Sequence, residues 1–388
     1  MVGRKIIYLE LVVPVLNDAG SRGRALGWFQ RDFPWAFGDG WIPEWWGVRV
    51  RDHRDATWQG MRVRGPRLPF ERVPWIVLVA AAWTTHLILA LRHPRVGILM
   101  ARHPYLAGGA ALARRIRRSR PLLMVGIIER AASKALNVYG SRLVSGALDL
   151  VDRFVLRRAD VVILMGDFTR ELARRAGVGD EKIIRLPHPP RWGSDEALRA
   201  TDDGARLVVC AARQIPGKGL DVLIRAFAEV VREFPDALLD IAGDGPERPS
   251  LEGLVGRLGL GHNVRFRGWV GSRDMAAFFG GAPIAVLPSR VQEGHPMALQ
   301  EAALSGCALV GTDLGGVRDI VVPGRTGLLV PSEDPNGLAR AICDLLADPD
   351  EARRLGDAAR EDSIAYYGGR NAAVEDLRNR LAALVEQP

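Results

Sequence analysis

Two loops in the second half of the chain carry charge in patterns suited to anions and polyols. The first, Arg213-Gln-Ile-Pro-Gly-Lys-Gly219, places two cations five residues apart, with Pro216, Gly217 and Gly219 shaping a tight backbone. Such cations at a strand end, followed by a helix N-terminus, can neutralise a diphosphate through charge-assisted hydrogen bonds and the helix dipole. The G-x-x-x-x-G-K spacing of a Walker loop is absent, which removes that nucleotide-binding class. The second loop opens at Pro288-Ser-Arg-Val-Gln-Glu-Gly-His-Pro-Met and runs on to Ala302. Glu293 lies in the loop, Pro296 suits the first turn of a helix, and Glu301 falls inside that helix. Backbone N–H groups around Gly294, His295 and Met297 are expected to point at an anion. Glu293 can accept hydrogen bonds from sugar hydroxyls, and Glu301 from a ribose diol, as acidic residues do in dinucleotide sites. By themselves the two glutamates read equally well as one solvated and one helix-face carboxylate.

These loops need a scaffold that brings strand ends together. Residues 206–212 form a short apolar, β-branched run and read as a buried strand. Leu220, Leu223, Ile224, Phe227, Val230, Val231 and Phe234 then recur at helical spacing. Further strands are expected at 237–242, 264–266, 284–287, 308–311 and 328–330, with helices between them, a helix at 336–346 and a charged helical tail from Asp350. Alternating strands and helices predict a parallel sheet covered on both faces. In the first half, strands are expected at 6–13, 97–100, 122–127 and 161–164. Residues 28–58 hold six tryptophans among Pro, Gly and charges and follow neither period, so they read as a long loop or insertion. Residues 73–91 are almost unbrokenly apolar apart from Thr84, Thr85 and His86. They read first as a core-facing helix, and second as one lying in a membrane surface. Pro, Gly and polar residues thicken between Pro187 and Gly204, where a linker is expected.

A length of 388 residues favours two domains over one. The apolar start after Met1 superficially resembles a signal peptide, but Glu10 interrupts it and no cleavage site follows, so it reads as a first strand. Cys210, Cys307 and Cys343 have no metal-ligand spacing and are odd in number, which favours a reducing compartment and small-hydrophobe roles. The net charge of +8 conceals a split: residues 1–200 carry 33 Lys+Arg against 18 Asp+Glu, whereas the remainder is mildly acidic. Arg114, Arg115, Arg117, Arg118 and Arg120 form the densest basic cluster. Such asymmetry suggests an anionic partner for the first half, with a solvated arginine-rich surface as the plainer explanation.

From Val208 to about Leu355 the chain resembles the retaining glycosyltransferases of family 4, which have the α/β GT-B fold of two Rossmann-like domains facing each other across a cleft. The resemblance rests on Arg213…Lys218-Gly219, Ala242-Gly-Asp-Gly-Pro246 and Val264-Arg-Phe-Arg-Gly268. It rests also on Pro288-Ser…Glu293-Gly…Glu301-Ala, with the family's seven residues between its glutamates, and on Thr326-Gly-Leu-Leu-Val330. It implies an acceptor-binding domain over 1–190, a nucleotide-sugar domain over 203–365, and a terminal helix over 366–388 that packs back on the first domain. Arg213 and Lys218 would then bind the donor diphosphate, Glu293 the transferred sugar and Glu301 the ribose. Gly243, Gly294, His295 and Met297 would line the donor site, and Trp269 or Val270 would edge the nucleobase.

In the first domain, Gly20 opens a Gly-Ser-Arg-Gly segment where the family has a glycine-rich loop near the diphosphate, without the usual double glycine. His103 follows a strand where the family often carries a histidine near the reacting sugar, and His188 stands where many relatives have an Asn-Gly turn.

The resemblance implies a retaining transfer from a nucleotide-diphosphate sugar to a glycan or glycolipid. No metal is expected, since no Asp-x-Asp pair stands where one would be needed, and no other cofactor. The expected setting is cytoplasmic, at the inner face of the membrane, with peripheral contact to anionic lipid and no nucleic acid. Two rivals are a nucleotide-sugar epimerase of the same fold and an inactive scaffold that binds a membrane surface. A dinucleotide oxidoreductase is disfavoured because Pro246-Glu-Arg248 breaks the G-x-G-x-x-G spacing.

Overall fold

Strands and helices alternate through most of the chain, and strand order decides which of their ends become neighbours. The computed structural model describes strands over 4–13, 41–50, 57–58, 61–64 and 67–68, and helical turns at 83–84, 86–88 and 91–92. It further describes residues 96–101, 103–116, 122–127, 142–187 and 206–386. The chain divides into two compact units. One comprises Met1–Met165, Thr169–His188 and Arg370–Pro388; the other comprises Gly166–Phe168 and Pro189–Gly369.

In the first unit, β1 (Arg4–Val13), β2 (Trp41–Val50), β3 (Thr57–Trp58), β4 (Met61–Arg64) and β5 (Arg67–Leu68) come before β6 (Val96–Ala101). Then follow α1 (Gly108–Ile116), β7 (Leu122–Ile127), α2 (Arg142–Leu156), β8 (Val161–Leu164), α3 (Asp167–Arg175) and β9 (Ile183–Arg185). The sheet order is β3-β4-β2-β1-β6-β7-β8-β9, with β5 beside β2. Every pairing is parallel except the short β3–β4 contact.

The expected loop over 28–58 is corrected in part, because β2 lies in the sheet with Arg4 opposite Trp41 and Leu9 opposite Trp46. A strand flanked on both sides by parallel neighbours need not alternate polar and apolar residues, so the absence of a period of two was not evidence for a loop. Its Trp, Ile and Val residues are good strand formers. Within 73–91 the described turns bury some residues and expose others: His86 is fully buried, with Nδ1 3.1 Å from the Leu106 carbonyl oxygen, whereas Ile88 and Leu91 are exposed. Trp83 Nε1 donates to the Tyr105 carbonyl at 2.7 Å.

The second unit contains β10 (Leu207–Ala211), α4 (Leu220–Glu233), β11 (Leu238–Ala242), α5 (Arg248–Arg257), β12 (Val264–Gly268) and α6 (Ser272–Gly280). It continues with β13 (Ile284–Leu287), α7 (Met297–Leu304), β14 (Ala308–Thr312), β15 (Gly327–Val330), α8 (Pro335–Ala347) and α9 (Pro349–Gly368). The last helix, α10 (Arg370–Glu386), belongs to the first unit, where Arg380 Nη1 donates to the Glu181 carbonyl at 2.6 Å.

The second sheet is wholly parallel, in the order β12-β11-β10-β13-β14-β15. Alternate residues of its central strands feed two separate cores. Val208, Cys210, Val286 and Val310 pack with Phe227 of α4 and Ile342 of α8. Val209, Ala285, Leu287 and Leu309 pack with Phe279 of α6 and Leu299 of α7. Burial on both faces explains why these strands read as continuous apolar runs. The cysteines serve as small hydrophobes in these cores. Burial pushes Cys210 and Cys307 up to about 12 and Cys343 to about 11, so their thiols stay protonated at neutral pH.

Candidate active site

In the second sheet the chain leaves β10 towards β11 on one side, while β13 lies on the other. Loops leaving the carboxyl ends of β10 and β13 therefore diverge, and in open α/β sheets such a switch point is where ligands bind. Both charged loops lie there. After β10 the chain makes a 3-10 turn over Pro216–Lys218 and enters α4 through Gly219, whose φ of 65° is left-handed. A Cβ on Gly219 would stand 2.0 Å from the Pro288 carbonyl oxygen. Only glycine combines that φ with so close an approach of the two loops.

The loops meet through side chains as well. Lys218 Nζ lies 2.6 Å from Glu293 Oε1, and Ser289 Oγ donates to the same oxygen. Both members of the ion pair are largely shielded, with side chains 17% and 14% exposed, so water screens them less than a surface pair. Arg213 is exposed, and among the described residues its side chain has no ion-pair partner. The Glu293 loop is supported from behind. Thr312 Oγ1 donates to the Ser289 carbonyl at 2.8 Å, and the Gly316 N–H donates to the Glu293 carbonyl at 2.7 Å.

The remaining positions gather around the same strand ends. Gly243 ends β11 with φ 114°, and its N–H donates to the Gly268 carbonyl at 2.7 Å. A Cβ on Gly243 would strike the Ala212 carbonyl oxygen at 2.0 Å, so its glycine is required by the packing of strand ends. Trp269, just beyond β12, is 49% exposed, and Val270 is half-buried. Gly294 is buried and Met297 opens α7, where first-turn N–H groups lack partners within the helix. The His295 ring is buried and stacks on Tyr366 with centroids 4.8 Å apart. Glu301, within α7, is only 1% exposed.

His103 lies in the first unit, directly after β6. It is half-buried, with its ring 5.4 Å from that of Tyr105. The order of the first sheet switches between β1 and β6, so His103 follows a strand at that switch point. Gly20 and His188 lie outside the described residues.

Arg290 received no role from the sequence, although it stands inside the second loop. Its guanidinium binds Asp221 of α4 with two hydrogen bonds of 2.7 Å. Partial burial pushes the Asp221 carboxyl up, but the hydrogen bonds and charge of Arg290 outweigh it and hold Asp221 below the usual carboxylate range. The partners are 69 residues apart, a separation that carries no periodic signal.

The arrangement supplies an exposed cation, a shielded lysine–glutamate pair and the open N-terminus of a helix at one switch point. Such a site can bind a diphosphate beside a hydroxyl-rich group.

The profile of the glycosyl transferases group 1 family matches residues 195–362, and that of the glycosyl transferase 4-like domain matches residues 40–189. The chain is 31% identical over 264 residues to a GDP-mannose-dependent alpha-(1-6)-phosphatidylinositol monomannoside mannosyltransferase of Mycolicibacterium smegmatis, covering 62% of this chain and 68% of that protein. Alpha-D-kanosaminyltransferase of Streptomyces kanamyceticus is 28% identical over 337 residues, 80% of this chain and 86% of that one. Among solved structures, sucrose-phosphate synthase from Thermosynechococcus elongatus has a TM-score of 0.75 at 21% identity, over 98% of this chain and 100% of that chain. Anabaena HepE in complex with UDP and glucose has a TM-score of 0.70 at 17% identity, with the same coverage.

Proposed function

Because the chain belongs to the glycosyl transferases group 1 family and has the GT-B fold, we propose that this nucleotide-sugar-dependent glycosyltransferase transfers its sugar with retention to a lipid-linked or cell-envelope glycan. The observation that carries the donor reading is the Lys218–Glu293 pair at the switch point of the second sheet. Departure of the nucleoside diphosphate builds negative charge on the β-phosphate, and preorganised cations and amide dipoles lower the barrier most. Arg213 and Lys218 supply the cations, while the backbone around Gly294, His295 and Met297 supplies the dipoles. Lys218 would turn from Glu293 to the diphosphate as the donor enters, leaving Glu293 to accept hydrogen bonds from the transferred sugar. Glu301 is assigned to the ribose, and Gly243, Trp269 and Val270 to the nucleobase end. In the first unit, Gly20 and His103 keep the roles that the family resemblance implies.

Two protein cations at the leaving group make a metal unnecessary, so the reaction is proposed to be metal-independent. The lipid-linked acceptor is supported by the mannosyltransferase relative, whose name specifies a phosphatidylinositol monomannoside, and by the positive charge of residues 1–200. A cytoplasmic position at the inner membrane face is proposed on the same two observations. Among the described residues no helix is long and apolar enough to cross a membrane.

The test is a panel of nucleotide sugars, including GDP-mannose and UDP-glucose, offered with lipid-linked and soluble acceptors, with the product anomer read by NMR. Transfer with the donor's anomeric configuration kept is expected. An inverted product would overturn retention, and an isomerised nucleotide sugar without transfer would favour an epimerase.

A further inference from the structure

Three loops at the carboxyl ends of β10, β13 and β15 meet at one side chain. Arg290 Nη1 and Nη2 bind the Asp221 carboxylate at the start of α4, each at 2.7 Å. Nη1 also donates to the Pro216 carbonyl at 3.2 Å, and the Arg290 backbone N–H donates to the Gly217 carbonyl at 2.9 Å. The two carbonyls immediately before Lys218 are thus both held by one residue. On its remaining side, Nε donates to Glu333 Oε1 at 2.9 Å in the loop after β15. Glu333 has φ 61° and is the only non-glycine residue with positive φ among the described residues. Strained backbone of this kind persists where surrounding contacts over-determine it.

We propose that Arg290 is a positioning residue for the donor: it clips the Lys218 turn onto the Glu293 loop, with Asp221 and Glu333 as its anchors. The proposal rests on the donor-site reading above. A lysine side chain has a flexible four-carbon stem, so the backbone beneath it sets where its ammonium group can reach. The Arg290 guanidinium is taken up by Asp221, the Pro216 carbonyl and Glu333, so its effect on the donor runs through the Lys218 turn. Its planar fork is what allows a bidentate carboxylate and a carbonyl to be held together, a geometry that a lysine at the same place cannot reproduce.

The experiment measures binding of UDP, GDP, ADP and dTDP by calorimetry, together with donor and acceptor KM, for wild type, Arg290→Met, Arg290→Lys, Asp221→Asn and the Arg290→Met/Asp221→Asn pair. Thermal unfolding of each variant reports the fold separately. Tenfold or greater weakening of nucleotide binding is expected for Arg290→Met, with acceptor KM within twofold of wild type. Arg290→Lys should fall between wild type and Arg290→Met. The double variant should be no worse than Arg290→Met alone, because the two groups act as one contact. A purely structural role would lower the unfolding midpoint and leave nucleotide affinity of the folded variants unchanged. Affinity within twofold of wild type for both folded Arg290 variants overturns the proposal. If Lys218→Ala still loses affinity in that case, the donor reading survives and only the positioning role is lost. A wild-type chain that binds none of the four nucleotides overturns both.

Discussion

Lys218 and Glu293 are ion-pair partners, and that pairing makes their roles separable. Arg213→Ala and Lys218→Ala should each lose about 2–4 kcal/mol of transition-state stabilisation, the scale seen when one preorganised donor to a developing anion is removed. Values of kcat/KM within threefold of wild type for both would sink the assignment. Glu293→Ala should behave differently, because it releases Lys218 while removing the acceptor for sugar hydroxyls. Free nucleoside diphosphate should bind it as well as wild type or better, whereas binding of the intact nucleotide sugar and transfer should both weaken. Equal losses for the two ligands in a calorimetric titration would contradict this division.

At the scale of elements, the site depends on the β10 and β13 loops approaching more closely than side chains allow. Gly219 has φ 65° and no room for a Cβ against the Pro288 carbonyl, so Gly219→Ala should destabilise the protein by about 1–3 kcal/mol. Gly256 lies in α5 with open space where a Cβ would stand, and Gly256→Ala should stabilise by roughly 0.5–1 kcal/mol. Urea midpoints decide the contrast, and a Gly219→Ala midpoint at or above wild type would show the approach is not required. Much of this level was legible in the sequence. Residues 122–127, 161–164 and 284–287 were read as strands with the bounds they have, because buried β-branched runs between turn formers are local signals. By contrast, β2 was missed, since its tryptophan-rich sequence lacks a period of two and its pairing with β1, β4 and β5 makes it a strand.

The whole molecule is expected to act without a metal and at an anionic surface. Transfer should therefore survive EDTA; its abolition, with recovery on adding magnesium or manganese, would replace protein cations by a metal in the mechanism. Each cation near an anionic leaflet contributes about 1 kcal/mol, so the arginines of residues 1–200 should give reversible, salt-sensitive binding. The chain should float with anionic liposomes at low salt and less at high salt. Retention in the soluble fraction at low salt would favour a soluble acceptor. By itself the sequence determined the alternation of strands and helices and the two charged loops, because hydrophobic period, turn residues and motif spacing are all local. Only the tertiary structure decided which loops meet. Lys218 and Glu293 are 75 residues apart, and Asp221 and Arg290 are 69 apart. They come together because β10 pairs with β13, and strand order is set by burying both sheet faces across the whole unit, which no local window of sequence contains.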